Sequence, residues 1–568
     1  MKRKATLFIT LLAAALTTLS AGPAAAKLTD DQKIVHLLNR ISFGPRPGDI
    51  DRVRKLGIDK YIDEQLHPER IDDSRTDALL AAFPSIKMDV GELNQNYVTP
   101  SNVARELGLI AAKKQQQPTN DTPQDQQAVR QQVQAIMRQK NLKPQQNLLR
   151  ELQGQKLVRA VSSERQLQEV MTDFWFNHFN VFWGKGADKQ LTTDYEVSAI
   201  RPHVLGKFKD LVMATARHPA MLFYLDNAQS SSPDTQTQAE ERLTRLQQQF
   251  GRNPRAQARI QNQIEQIKQR TAQQKRARKP GINENYAREL MELHTMGVDG
   301  GYTQKDVQEV ARAFTGWTID RPRAGGGFIF RDAMHDRGEK TVLGHRINAG
   351  GVRDGEEVID ILVHHPSTAR FIATKLVRRF VSDEPPDALV ERVAAVYKKT
   401  DGDIREMLQT IFSSEEFYSV TAYRAKTKSP FELAVSSIRA VDGKTDGSPR
   451  LAQLVTRMGQ PLYQYQAPTG FPDRASQWTS SGSLVERLNF GVSYIANRIQ
   501  GTPADITRFS GESLEPAAAV DRAVNVLLAG DVSDQTKRIV LDQVQSSTEP
   551  PLARAFALVL GSPEFQRR

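Results

Sequence analysis

Apolar residues recur at helical spacing over most of the chain. In 283–320, Tyr286, Leu290 and Leu293 form one apolar stripe, and Val307, Val310, Ala311 and Phe314 form another beyond Gly297. The pattern predicts two helices joined by a turn, the second started by Thr303 with Asp306 three residues on. Glu284, Arg288 and Glu292 stand at i, i+4 and i+8 on the first helix, stacking carboxylate, guanidinium and carboxylate along one stripe. The same period predicts two short helices in 27–70, parted at 43–47, and one long amphipathic helix over 157–183. Further helices are expected over 356–364, 368–381, 386–399 and 404–412. Between Ile319 and Gly351 the period disappears, and residues 328–330 and 341–343 read as a small β-hairpin with His335 and Asp336 at its tip. The expected fold is therefore mainly α: a multi-helical globular body with a small β-hairpin insertion and a protruding helical, partly disordered arm.

The arm comes from two glutamine-rich, low-complexity inserts near 113–155 and 230–280. Leu243, Leu246 and Phe250, then Ile260, Ile264 and Ile267, keep helical register around a Gly251–Pro254 break; Val129, Val133 and Ile136 do the same in the other insert. The two inserts could pack together. Charge sharpens this picture, because the net +11 is not spread over the chain. Residues 239–280 hold eleven Lys or Arg against three Glu, and with Lys2, Arg3 and Lys4 they account for the whole excess. The remaining body is electroneutral, which argues against nucleic acid as a partner. The basic insert is either a solvated extension or a hold on an anionic surface.

The first 26 residues read as an address. A positive start, an apolar run at 5–19 and Ala24, Ala25 and Ala26 make a signal peptide, with cleavage expected between Ala26 and Lys27. The protein is expected to be exported, to the periplasm or outside the cell, with 27–568 as one family-sized domain or two tightly joined ones. No later stretch is long and apolar enough for a transmembrane helix in the mature chain. With no cysteine, thiolate nucleophiles, disulfides and cysteine metal sites are excluded.

The chemistry-bearing candidates are few. Leu167, Met171, Phe174 and His178 share a helical face, within an aromatic run that reaches Trp183. His178 either meets Glu289, Glu292 or His294 in an acid–base or metal centre walled by aromatics, or is a core histidine bonded to a glutamate. His335 and Asp336 could converge on one ion in a turn, so a divalent metal is the cofactor these sets would take, its identity open. His36 reads as a core histidine. Residues 460–478 form a long irregular segment in which Tyr463, Tyr465, Phe471 and Trp478 either rim a ligand or lid the core. The S-x-E-F endings at 414–417 and, in outline, 562–565 read as caps in a weak long-period repeat.

Five segments together resemble a known family: residues 283–317, the HLLNRISFG run at 36–44, FWFNHF at 174–179, HDRGEKTVLG at 335–344 and PTGFP at 468–472. They are collinear with the bacterial domain-of-unknown-function 1800 family. The resemblance implies no catalytic residues; it does imply one partner, since genes of this family often neighbour those of an exported, sulfatase-like family numbered 1501. Two functional classes stay open: an exported binding or assembly partner of an envelope or secreted system, or a hydrolase-like enzyme, metal-dependent or acid–base, centred on His178, Glu289, Glu292, His294 and His335.

Overall fold

The computed structural model describes residues 27–109, 123–232, 281–320, 326–348, 350–510 and 515–568. The signal peptide and nearly all of the 230–280 insert, with its packing against the other insert, lie outside the described residues. Among the described residues the protein is built of helices, with three two-stranded sheets. No helix among them is long and apolar enough to cross a membrane. The chain divides into two compact units, the first of the described residues up to Gly184, Val204–Gly206 and Ile372–Arg568, the second of Lys185–His203 and Lys207–Phe371.

The first unit starts with three helices where two were expected: Asp30–Ile41, Asp49–Leu56 and Ile58–Leu66. Gly57, at φ 92°, parts the last two in a backbone region that favours glycine. The long helix expected over 157–183 is instead two, Gln146–Ser162 and Gln166–His178. The break has a polar cause that hydrophobic periodicity does not register. The Asp73 carboxylate accepts from the Ser163 hydroxyl (2.7 Å) and the Glu164 amide (3.0 Å), drawing the chain out of helical register. In the 113–155 insert, the Pro123–Gln139 helix buries Val133 and Met137 against Val103 and Ala104.

Later helices of this unit include Asp387–Lys399, Ile404–Phe412, Pro430–Ala440 and Ser481–Ile495. Both S-x-E-F endings are caps of one design: the Ser414 hydroxyl accepts from the Phe417 amide (3.2 Å) and the Ser562 hydroxyl from the Phe565 amide (3.3 Å). His36 is buried among Phe417, Tyr418 and Tyr423, and burial, aided by Arg40, keeps its ring well below the usual histidine range.

In the second unit the Glu284–Glu289 helix passes into a π-helical turn, Leu290–Thr295, where the Thr295 hydroxyl bonds the Leu290 carbonyl five residues back (2.7 Å). A second π turn, Tyr195–Ile200, follows the Asp188–Asp194 helix. The Gln304–Ala313 helix has the expected start, a reciprocal capping box between Thr303 and Asp306. Trp317–Ile319 pairs antiparallel with Phe328–Phe330, and Lys340–Val342 with His345–Ile347 across a Leu343–Gly344 turn, both turn residues at positive φ. A small β-hairpin is thus present, but 328–330 is not one of its arms, and His335 and Asp336 lie between the two sheets, not at a tip.

Candidate functional site

The candidate residues of the second unit fall into separate polar clusters. Glu289 is half-buried, and burial, with the charge of Glu292 nearby, raises its carboxyl above the ordinary range. Glu292 takes a long contact from the Tyr302 hydroxyl (3.4 Å), and His294 is buried on the π turn. The stacked stripe ends at that turn: Arg288 pairs with Glu284 (3.6 Å) and donates to Gln304 (2.8 Å). His335 is buried with its ring nitrogens on the Thr315 carbonyl (2.8 Å) and Asp354 (3.1 Å). Lys340, fully buried, adds a 2.7 Å ion pair to the same Asp354 oxygen. Asp336 turns to another partner, receiving Arg312 through two 3.0 Å bonds. Burial opposes ionisation of Asp336, but Arg312 outweighs it and holds the carboxyl below its usual range. Among the described residues no three His, Asp or Glu side chains are grouped as a metal ion would require.

His178 belongs to the first unit, where it lines a cavity of about 310 Å³. Its ring stands edge-on to Trp175 (5.3 Å) and Phe179 (4.5 Å). The Gln166–His178 helix gives this cavity Asp173, Phe174 and Asn177 as well. Lys156 comes from the preceding helix and pairs with Asp173 (2.7 Å), its ammonium lying 5.1–6.0 Å from the rings of Tyr463, Phe431 and Phe176. Lys375, Arg378 and Arg379 also line the cavity, placed on one side of the Pro366–Phe380 helix by their i, i+3 and i+4 spacing.

Glu432 ties these elements together. It is the third residue of the Pro430–Ala440 helix, and one carboxylate oxygen accepts from the Ser429 amide (2.8 Å) in a capping box. The other receives Arg379 (2.7 Å) and Arg568 (3.2 Å). Burial opposes its ionisation, yet Arg379 and Arg568 outweigh burial and hold the carboxyl down to about 2. Asp473 is likewise held down to about 2, burial being outweighed by Lys426 (2.9 Å), Arg379 and Arg568. Lys426 also bonds Asp383 (2.6 Å). Desolvation eases Lys375 down to about 8, with Arg378 assisting and Asp473 opposing.

The irregular segment of 460–478 forms the rim. The Asn177 side chain donates to the Phe471 carbonyl (2.8 Å) and accepts from the Phe471 amide (2.7 Å), while Asn180 donates to the carbonyls of Tyr465 (3.0 Å) and Ala467 (2.8 Å). Gly470, at φ 67°, passes so close to this helix that a Cβ would stand 2.1 Å from the Asn177 carbonyl oxygen. Of the aromatics, Tyr463 and Trp478 are buried, whereas Tyr465 and Phe471 are half-buried with ring centroids 4.5 Å apart. The segment therefore does both things its composition allowed: part of it covers core and part edges a cavity.

Sequence reading passed over Lys156, Asp173, Lys375, Arg379, Glu432 and Asp473, which come from five chain segments. One signal was available. Asn177 and Gly470 sit inside two of the family-like runs, and Arg40, whose charge acts on the same network, sits in a third.

Fold and cavity together define a mainly helical protein with a charged, aromatic-rimmed cleft in one of its two units. The chain belongs to the family described as "Protein of unknown function (DUF1800)", whose model matches residues 36–567. No curated protein and no solved structure matches it.

Proposed function

We propose that the protein is exported and acts as a non-catalytic binding partner in an envelope or secreted system, its ligand held in the cavity beside His178. The observation that carries this reading is the charge state of the cavity. Glu432 and Asp473, both held down to about 2, remain ionised within ion pairs across the neutral range. Neither is set to exchange a proton near pH 7, where general acid–base groups work best. Side chains that keep a fixed charge suit recognition of a complementary ligand. Export rests on the positive, apolar and alanine-rich stretches of the first 26 residues. The sulfatase-like family implied by gene neighbourhood is the protein partner to try first.

Export is tested by fractionating cells and sequencing the N-terminus: a chain beginning at Lys27 outside the cytoplasm supports it, and an intact chain retained inside overturns it. Binding is tested by incubating the mature protein with a soluble envelope extract and following small molecules by mass spectrometry. A species retained at up to one copy per chain and released unchanged supports binding. A species consumed in large molar excess overturns the non-catalytic reading.

The second reading, a hydrolase-like acid–base enzyme, is confined to the cavity of His178, because Glu289, Glu292, His294 and His335 belong to the other unit, and it is favoured by one observation. Lys375, which lines the same cavity as His178, is eased down by desolvation to about 8, nearer neutral pH than an ordinary lysine. The turnover measurement decides between the two readings.

A further inference from the structure

We infer, building on the binding reading above, that the cavity takes an acidic saccharide unit: a single sugar-sized ring carrying an oxyanion, either carboxylate or a phosphate or sulfate ester. Three features of the lining point to it. Lys156, Lys375, Arg378, Arg379 and Arg474 face the cavity against three carboxylates, Asp173, Glu432 and Asp473, so cations are in excess. Behind the lining stand Arg40, Lys426 and Arg568, with Asp383 as the countercharge on Lys426.

The second feature is unmet donor capacity. Arg379 is 7% exposed and lines the cavity, and its Nη1 is on Glu432. Its Nε and Nη2 have no hydrogen-bond partner among the described residues. Buried N–H groups without acceptors are uncommon and costly. An oxyanion supplies several lone pairs at once, in the planar geometry a guanidinium matches. The third feature is the aromatic lining. Phe174, Phe176, Tyr463, Phe471 and Trp478 line the cavity, and aromatic rings there suit the apolar face of a sugar. The carboxylates of Asp173 and Asp473 are placed to accept hydroxyl groups. At about 310 Å³ the cavity is at the small end for ligand sites, the size of one ring with its substituent and too tight for a long polymer segment.

The test is titration calorimetry on the mature chain at low salt with glucuronate, glucose 6-phosphate, glucose 6-sulfate, glucose and inorganic phosphate. At least one charged sugar is expected to bind about tenfold or more tightly than both glucose and inorganic phosphate, with affinity falling as salt rises. The three charged probes separate carboxylate from phosphate and sulfate ester. Arg379 cannot be removed safely because Glu432 depends on it, so two other variants locate the site. Half-buried Arg378→Ala should weaken binding about tenfold, and Thr469→Trp, which fills the cavity mouth from an exposed position, should abolish it, both with unchanged circular dichroism. Equal binding of charged and neutral sugars, binding of inorganic phosphate as tight as that of the sugars, no binding of any probe, or binding indifferent to both variants would each overturn the inference. None of these results touches the export and turnover measurements, so the two readings fail separately.

Discussion

Replacing Glu432 by Gln should destabilise the first unit in a manner that depends on pH. The residue is 4% exposed and its carboxylate takes Arg379, Arg568 and the Ser429 amide. Gln keeps an oxygen for the helix cap but leaves the two guanidinium groups without that countercharge. In an unfolded chain the carboxyl would titrate at its ordinary ~4.3, whereas here it is held down to about 2. That gap corresponds to roughly 3 kcal/mol, within the range of about 3–5 kcal/mol for breaking a buried ion pair. Because the folded value lies below the unfolded one, the contribution is complete above about pH 5 and is lost as pH falls towards 2. The variant should therefore be about 3 kcal/mol less stable than the parent at pH 7 and nearly equal to it near pH 2.

Urea unfolding followed by tryptophan fluorescence can read this. Trp175, Trp183 and Trp478 lie in the first unit and Trp317 in the second, so a Trp317→Phe background reports the first unit alone. A Gln variant as stable as the parent at pH 7, or one with the same deficit at both pH values, would refute the reasoning.

Two further predictions test neighbouring features. Gly470→Ala combines a 2.1 Å clash with the Asn177 carbonyl and a left-handed backbone, and should cost about 2–4 kcal/mol, read as a lowered unfolding midpoint of the first unit; an unchanged midpoint would mean that the rim is not pinned there. In the second unit, Asp354→Asn removes the countercharge of fully buried Lys340 and should cost about 3–5 kcal/mol at pH 7, monitored through Trp317. Burial opposes ionisation of Asp354, but His335 and Lys340 hold its carboxyl below the ordinary range, so this deficit too should shrink as pH falls below that range; a deficit unchanged in acid would contradict the pairing.

The helical class, the capped start at Thr303 and the paired serine caps were legible because each rests on local chemistry within a few residues. The break at 163–165 was not, because its cause, Asp73, lies about ninety residues upstream. The π turn at 290–295 was missed for a related reason: apolar spacing fits either helix, and the added residue per turn shows in backbone bonds such as that from the Met296 amide to the Met291 carbonyl (2.9 Å). The cavity was the least legible part. Its charged residues come from separate helices and a loop, and singly each resembles an ordinary surface charge. The partners of His335 and Asp336 were not legible either: the pairing of Asp336 with Arg312 and of His335 with Asp354 depends on strand register that short apolar runs do not specify.

The grip of Asn177 on residue 471 bears on how this protein could diversify. Both bonds go to the main chain of residue 471, and Asn180 likewise holds only carbonyls, so the position of the rim is specified without reference to the side chains it displays. Positions 465 and 471 can therefore drift in identity while the backbone that carries them stays where it is. Selection acting on what enters the cavity is uncoupled at position 471 from selection acting on folding, and a lineage could change its ligand through that position while leaving Asn177, Asn180 and Gly470 untouched.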